Sequence, residues 1–172
     1  MFKIALCAAI LAIAYAQDGI VYLMDPSGMS GVTGTVRFVK LPTGINVIGD
    51  IRGLKPGKHG FHIHQEGHVR ACSSTGRHFT RLNEEHADRT VYYRHTGDLG
   101  NIVADQNGAA FVNFVDTIID LVGNHSIIGR ALVVHEMEDD FAESKNESLL
   151  TADYGQSGGR IACGVIGIRS IC

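Results

Sequence analysis

Residues 60–64 read Gly-Phe-His-Ile-His, two imidazoles one residue apart inside an apolar run. In an extended strand the side chains at i and i+2 share a face, so His62 and His64 can converge on one ion, whereas on a helix they would diverge. The pair alone is a weak signal, because two surface histidines on a strand are common. Downstream, His78, His86, His95 and Asp98 offer an N,N,N,O donor set of the kind that closes a tetrahedral zinc site. His135 ends the run Val-Val-His-Glu at 133–136, where it can join His62 and His64. An imidazole-rich group with tetragonal geometry suits copper(II), while the mixed histidine/aspartate set suits zinc. The chemistry these residue types point to is the binding of metal ions.

Strands must position these groups. Short alternating runs rich in β-branched residues recur at 34–41, 45–54, 59–64, 100–105, 109–117, 126–136 and 160–168. Turn residues separate several of them, as in DPSG, LPTG, KPG and DQNG. There is no helical periodicity of useful length. About eight short strands with frequent turns predict an all-β antiparallel sandwich or barrel. Residues 65–97 and 137–159 are long, polar and without strand pattern. Loops of that length are usually functional or disordered. Metal ligation in the first would substitute for a missing core.

The 172 residues fit a single domain, with 21 glycines and no tryptophan suggesting many turns and few bulky core anchors. The N-terminus carries a basic start (MFK), an apolar core and the small-x-small sequence AYA before Gln17. This predicts a secretory signal over residues 1–16, a mature domain over 17–172, and secretion to the extracellular space. A membrane anchor or an apolar first helix would read similarly. The apolar stretch from Ile4 to Ala16 is, however, short of the ~20 residues a spanning helix needs, so no membrane insertion is expected. Cleavage removes Cys7 and leaves Cys72, Cys163 and Cys172, hence one disulfide with a leftover thiol, or a bond between chains. It also removes Lys3, moving the formal charge from −3 to −4, which argues against a nucleic-acid or anionic-membrane partner. Asn124 and Asn146 begin sequons that could carry glycans. His59 reads as a buried histidine satisfied by backbone, His68 and His125 as solvent or turn residues.

Taken together and in order, GFHIH, His78-Phe79, HTGDLGN at 95–101, VGNHSIIGRALVVHEMEDD at 122–140 and GGRIACGVIGI at 158–168 resemble the copper/zinc superoxide dismutases. The resemblance spans about residues 20–168. It implies an eight-stranded antiparallel Greek-key barrel with two long functional loops. The implied activity is dismutation of superoxide to oxygen and hydrogen peroxide. On the matching positions it makes His62, His64, His78 and His135 copper ligands and His78, His86, His95 and Asp98 zinc ligands, with His78 a bridging imidazolate. Asp139 matches a carboxylate that hydrogen-bonds a ligand on each metal, Cys72 and Cys163 match an intrachain disulfide, and Arg160 matches a guanidinium beside the copper. SIIGR and GVIGI resemble an apolar patch of a homodimer.

The chain also departs from the family pattern. Its second loop is acidic, Met137 and Leu150 occupy positions where relatives often carry lysines, and zinc-loop prolines are missing from RHFTRLNEEH. The segment between His64 and Cys72 is one residue shorter. These changes predict a dismutase whose activity falls more weakly with salt than that of lysine-rich relatives. Other readings are a copper-binding or copper-delivery protein, a zinc-stabilised adhesion sandwich and a zinc hydrolase. The first commonly lacks a copper ligand, the second needs neither His135 nor Arg160, and the third needs an open zinc position. The copper source and the partner of Cys172 stay open.

Overall fold

Alternation decides the strands and which way each faces. In the computed structural model, which describes residues 18–81, 84–141 and 157–169, the elements are β1 (Asp18–Met24), β2 (Thr33–Leu41), β3 (Gly44–Arg52), β4 (Gly57–His64), β5 (Asp98–Ala104), β6 (Ala110–Asp116), β7 (Ala131–His135), β8 (Arg160–Val165) and the short β9 (Gly167–Arg169). The expected leader, Asn146, Leu150 and Cys172 lie outside the described residues. Among the described residues no helix is long and apolar enough to cross a membrane.

The strand order is β5-β4-β7-β8-β1-β2-β3-β6, with β9 added against β1. All pairings are antiparallel. β3 and β4 are consecutive but not paired, and likewise β6 and β7, so the chain crosses the barrel twice in Greek-key fashion. β5 and β6 end the order and approach each other, nearly closing an eight-stranded barrel as expected from the sequence.

Two boundaries differ from the sequence reading. β1 is an additional strand: its apolar residues follow closely on the apolar N-terminal stretch and share its pattern, yet it pairs with β2 over six positions, from Gly19–Phe38 to Met24–Thr33. In the run 126–136 only Ala131–His135 is strand. Ser126–Arg130 turn, with Arg130 N–H donating to Ile127 O.

The barrel interior is filled by every second residue: Val21 and Leu23 of β1, Val36 and Phe38 of β2, Ile45, Val47 and Ile51 of β3, Phe61 and Ile63 of β4. Burial of each of these side chains contributes about 1.5–3 kcal/mol. Because Phe61 and Ile63 point inward, His62 and His64 point outward, yet both are fully buried. Described parts of the two long loops lie against them: Asp139 bonds His62, and Gly76 O accepts from His64. β7 is buried on both faces for the same reason, with Leu132 and Val134 in the core and Val133 opposite His62 on the outer face.

Candidate metal centre

The outer face of β4 and β7 is where the sequence histidines meet. His62 pairs across the strands with Val133 and His64 with Ala131. The β7–β8 register shifts after Val134, and His135, next in chain order, lies opposite Arg160. The first loop returns under β4: Phe79 N–H donates to Ile63 O at 2.8 Å and Ile63 N–H to Gly97 O at 2.8 Å, so His78 and Asp98 flank that strand. Ligand atoms of His62, His64, His78 and His135 all lie within 4.8 Å of one another, and so do those of His78, His86, His95 and Asp98. His78 belongs to both groups. Its ring centroid is 4.1 Å from that of His62 on one side and 5.0 Å from that of His86 on the other. Space here is tight: a methyl group on Gly60 would come within 2.8 Å of Ser157 Cβ and 3.0 Å of His62 Cε1.

The donor atoms are pre-aimed. His64 Nδ1 donates to Gly76 O at 2.9 Å, leaving Nε2 to face His135 Nε2 at 3.4 Å. His135 Nδ1 lies 2.9 Å from Ser157 Oγ. His62 Nε2 donates to Asp139 Oδ2 at 2.7 Å, so its Nδ1 is the atom turned inward, and that atom is buried without a hydrogen-bond partner. His86 Nδ1 and His95 Nδ1 approach Asp98 Oδ2 at 2.9 and 3.3 Å, yet neither makes an aligned hydrogen bond. Buried polar atoms are rarely left this way unless something else binds them. Four imidazoles in one group and N,N,N,O in the other fit copper and zinc respectively.

The family model described as copper/zinc superoxide dismutase (SODC) matches residues 32–166. The chain belongs to the copper/zinc superoxide dismutase family. An extracellular copper/zinc superoxide dismutase of Brugia pahangi is 44% identical over 149 residues, covering 84% of this chain and 73% of that protein. A copper/zinc superoxide dismutase of Onchocerca volvulus is 47% identical over 146 residues, covering 80% of this chain and 89% of that one. The crystal structure of the clock protein EA4 superposes with a TM-score of 0.82 at 39% identity, covering 92% of this chain and 98% of that chain. As a member of this family the protein is an oxidoreductase acting on superoxide, with copper and zinc as its cofactors.

Within this dismutase centre, Asp139 is fully buried and joins the two groups, accepting from His62 Nε2 at 2.7 Å and from His86 Nε2 at 2.9 Å. Such carboxylates orient imidazoles and fix their tautomers. Asn101 on β5 holds Asp139 in turn: its Nδ2 donates to Asp139 O at 2.9 Å and its Oδ1 accepts from Asp139 N–H at 2.8 Å. Sequence reasoning missed Asn101, because nothing local in GNIVAD distinguishes it from a strand asparagine. It also missed Arg94, a buried guanidinium that pairs with Asp116 and donates to His95 O at 3.0 Å. Breaking such a buried pair from one side costs about 3–5 kcal/mol. Together with Arg130, stacked 3.5 Å over the Phe79 ring, it holds the patternless first loop by contacts of the protein itself.

Cys72 and Cys163 form the disulfide, with Cα atoms 5.6 Å apart. It fastens the 3-10 turn Cys72–Thr75 to β8. That turn receives the Arg160 guanidinium, whose Nη1 donates to Cys72 O at 3.3 Å, Ser73 O at 3.2 Å and Thr75 Oγ1 at 3.0 Å. Arg160 lies close enough to help depress the pKa of both His64 and His135. The remaining histidines stand outside both groups. His59 is buried, with its ring nitrogens 2.8 Å from His135 O and 2.8 Å from Lys55 O. His68 is exposed, and His125 ends a 3-10 turn where it meets Arg81. Asn124 is exposed in the same turn.

Burial, reinforced by neighbouring imidazoles, holds His64 and His135 well below the ordinary histidine value of 6.5 and His78 at about 3 in the metal-free protein. Burial would also lower His86, but its hydrogen bond to Asp139 and its closeness to Asp98 outweigh that and raise it to about 9. The signs oppose. The three depressed histidines stay neutral while unfolded ones take up protons below about 6.5, so stability falls as pH drops through that value. His86 contributes stability below 6.5 that is lost as pH rises through about 9. Three groups against one give the expected outcome: the metal-free protein is less stable to urea at pH 5 than at pH 7.5. An unchanged or higher urea midpoint at pH 5 would contradict the neutral imidazole cluster.

Proposed function

We propose that His62, His64, His78 and His135 hold copper, that His78, His86, His95 and Asp98 hold zinc, and that His78 bridges the two ions. The observation that carries this reading is the membership of the His78 ring in both four-donor groups. Copper, when bound, supplies the alternating one-electron chemistry that converts two superoxide ions and two protons to oxygen and hydrogen peroxide. Arg160 presents a charge that stays protonated across the working range and retains a small anion at the mouth of the His64–His135 pair. Asp98 Oδ1, 2.8 Å from His78 Nδ1, fixes the orientation of that ring, and the opposite ring nitrogen is the one we assign to carry a proton to product. Asp139 keeps His62 and His86 in matched tautomers, so the two groups are set by one carboxylate. A copper-delivery role is less well supported, since all four imidazoles of the first group are retained and converge.

We also assign residues 1–16 to a cleaved leader and the mature domain to the extracellular space. The disulfide and the extracellular relative support this. The mature chain is proposed to be a homodimer. Gly129 N–H donates to Ile166 O at 2.8 Å, which sets the SIIGR and GVIGI segments side by side, and Val165 and Ile168 stay 40% and 52% exposed there.

The experiment is metal analysis of the purified secreted protein followed by a superoxide-consumption assay, with His135→Ala as the control. The expected result is one copper and one zinc per chain, rapid consumption by the native protein and loss of copper with activity in the variant. Copper bound without consumption would favour delivery or storage.

A further inference from the structure

We propose that Arg70 is the steering cation of this chain, an exposed guanidinium that shares a cleft with Arg160 and draws the superoxide anion towards it. This rests on the dismutase reading above. The cleft encloses about 550 Å3, and its walls include Asp25, Arg70, Cys72, Ser73, Gly158 and Arg160. Among the described residues Arg70 is exposed and makes no hydrogen bond and no ion pair. Its backbone is nevertheless well placed: it lies two residues before Cys72, whose sulfur is bonded to Cys163 and whose carbonyl accepts from Arg160. The segment that carries Arg70 is therefore fastened to the segment that carries the anion-binding guanidinium.

Other cations near the mouth are already spent. Lys55 Nζ lies 3.1 Å from Glu136 Oε1 and Lys58 Nζ 2.5 Å from Glu138 Oε1. Met137, between those glutamates, is 51% exposed and uncharged, and its side chain packs against Gly158. The opposing charge in the cleft is Asp25. Its carboxylate is occupied by the Ser27 N–H at 2.9 Å, the Ser27 hydroxyl at 2.7 Å and the Ser30 N–H at 2.7 Å. Two guanidiniums against one carboxylate, whose charge is held by its own turn, leave the described walls of the cleft with one net positive charge in an otherwise acidic chain. A cleft with an excess of positive charge concentrates a small anion and raises its on-rate, and arginine does so without titrating.

The test uses the full copper- and zinc-loaded mature protein as native, Arg70→Lys, Arg70→Gln and Arg70→Glu. Two readouts are taken at ionic strengths of about 0.01 M and about 0.2 M: kcat/KM for superoxide, and azide affinity followed by the copper absorption band. Arg70→Glu is expected to lower the low-salt kcat/KM and the azide affinity about fivefold and to flatten the salt dependence of both, with unchanged metal content. Arg70→Gln should fall between, and Arg70→Lys should keep most of the native value, which a merely structural role would not produce. Native-like salt profiles and azide affinity in Arg70→Glu would overturn the proposal, and so would an equal loss in Arg70→Lys. If the loaded native protein consumes no superoxide, the functional reading fails, while the azide titration still decides the role of Arg70.

Discussion

His78→Ala is expected to lower superoxide consumption by more than about 100-fold and to reduce the occupancy of both metals at once. Among the described residues no other single donor is expected to have this double effect, because only the His78 ring is common to the two four-donor groups. Changing a residue that merely supports a ligand commonly costs 10–100-fold in metal affinity, so removal of a shared ligand should exceed that range. The contrast is His95→Ala, whose side chain belongs to the second group alone and should reduce zinc with little direct effect on copper. Metal content by mass spectrometry checks both. A His78→Ala protein that keeps one copper and one zinc per chain, and near-native activity, would remove the bridging assignment. Loss of zinc alone would place His78 in the second group only.

Cys163→Ser is expected to destabilise the metal-free protein by about 4–5 kcal/mol and to lower the activity of whatever remains folded. The stability loss follows from the 91-residue separation of the bonded cysteines. Opening a loop of that length returns a large amount of conformational entropy to the unfolded chain, which favours unfolding. The activity loss has a separate cause. Cys72 O, Ser73 O and Thr75 Oγ1 are the acceptors that aim Arg160, and the disulfide is what fastens their turn to β8. Urea denaturation gives the first quantity, and kcat/KM at a temperature where the variant is folded gives the second. Arg160→Lys in the native background separates the two, since it alters the group proposed to hold the anion and leaves the cross-link intact. A stability change below about 1 kcal/mol would contradict the entropic assignment, and unchanged activity would detach Arg160 from the cross-link.

How far each feature could be read from the chain depended on whether its cause was local. His62 and His64 were legible because a two-residue period is a property of one strand, and Phe61 and Ile63 between and beside them mark which face is inward. The acidic second loop was equally legible, since its charge needs no partner to be counted. β1 was not, because an apolar strand close behind an apolar N-terminal stretch has no visible edge in the sequence. Asn101 and Arg94 were invisible for another reason. Their importance lies in bonds to Asp139 and Asp116, residues distant along the chain, and neither residue type announces such a partner.

The amino-acid order by itself determined the donor types, the strand periods and the turn positions, because these are written in neighbouring residues. Only the tertiary structure decided that His78 stands between two clusters, that Asp139 spans them and that Arg160 is gripped by the Cys72 turn. Those facts depend on β4 meeting β7 and on the first loop folding back beneath them, and such long-range pairings are selected by burial of the whole barrel rather than by any local run.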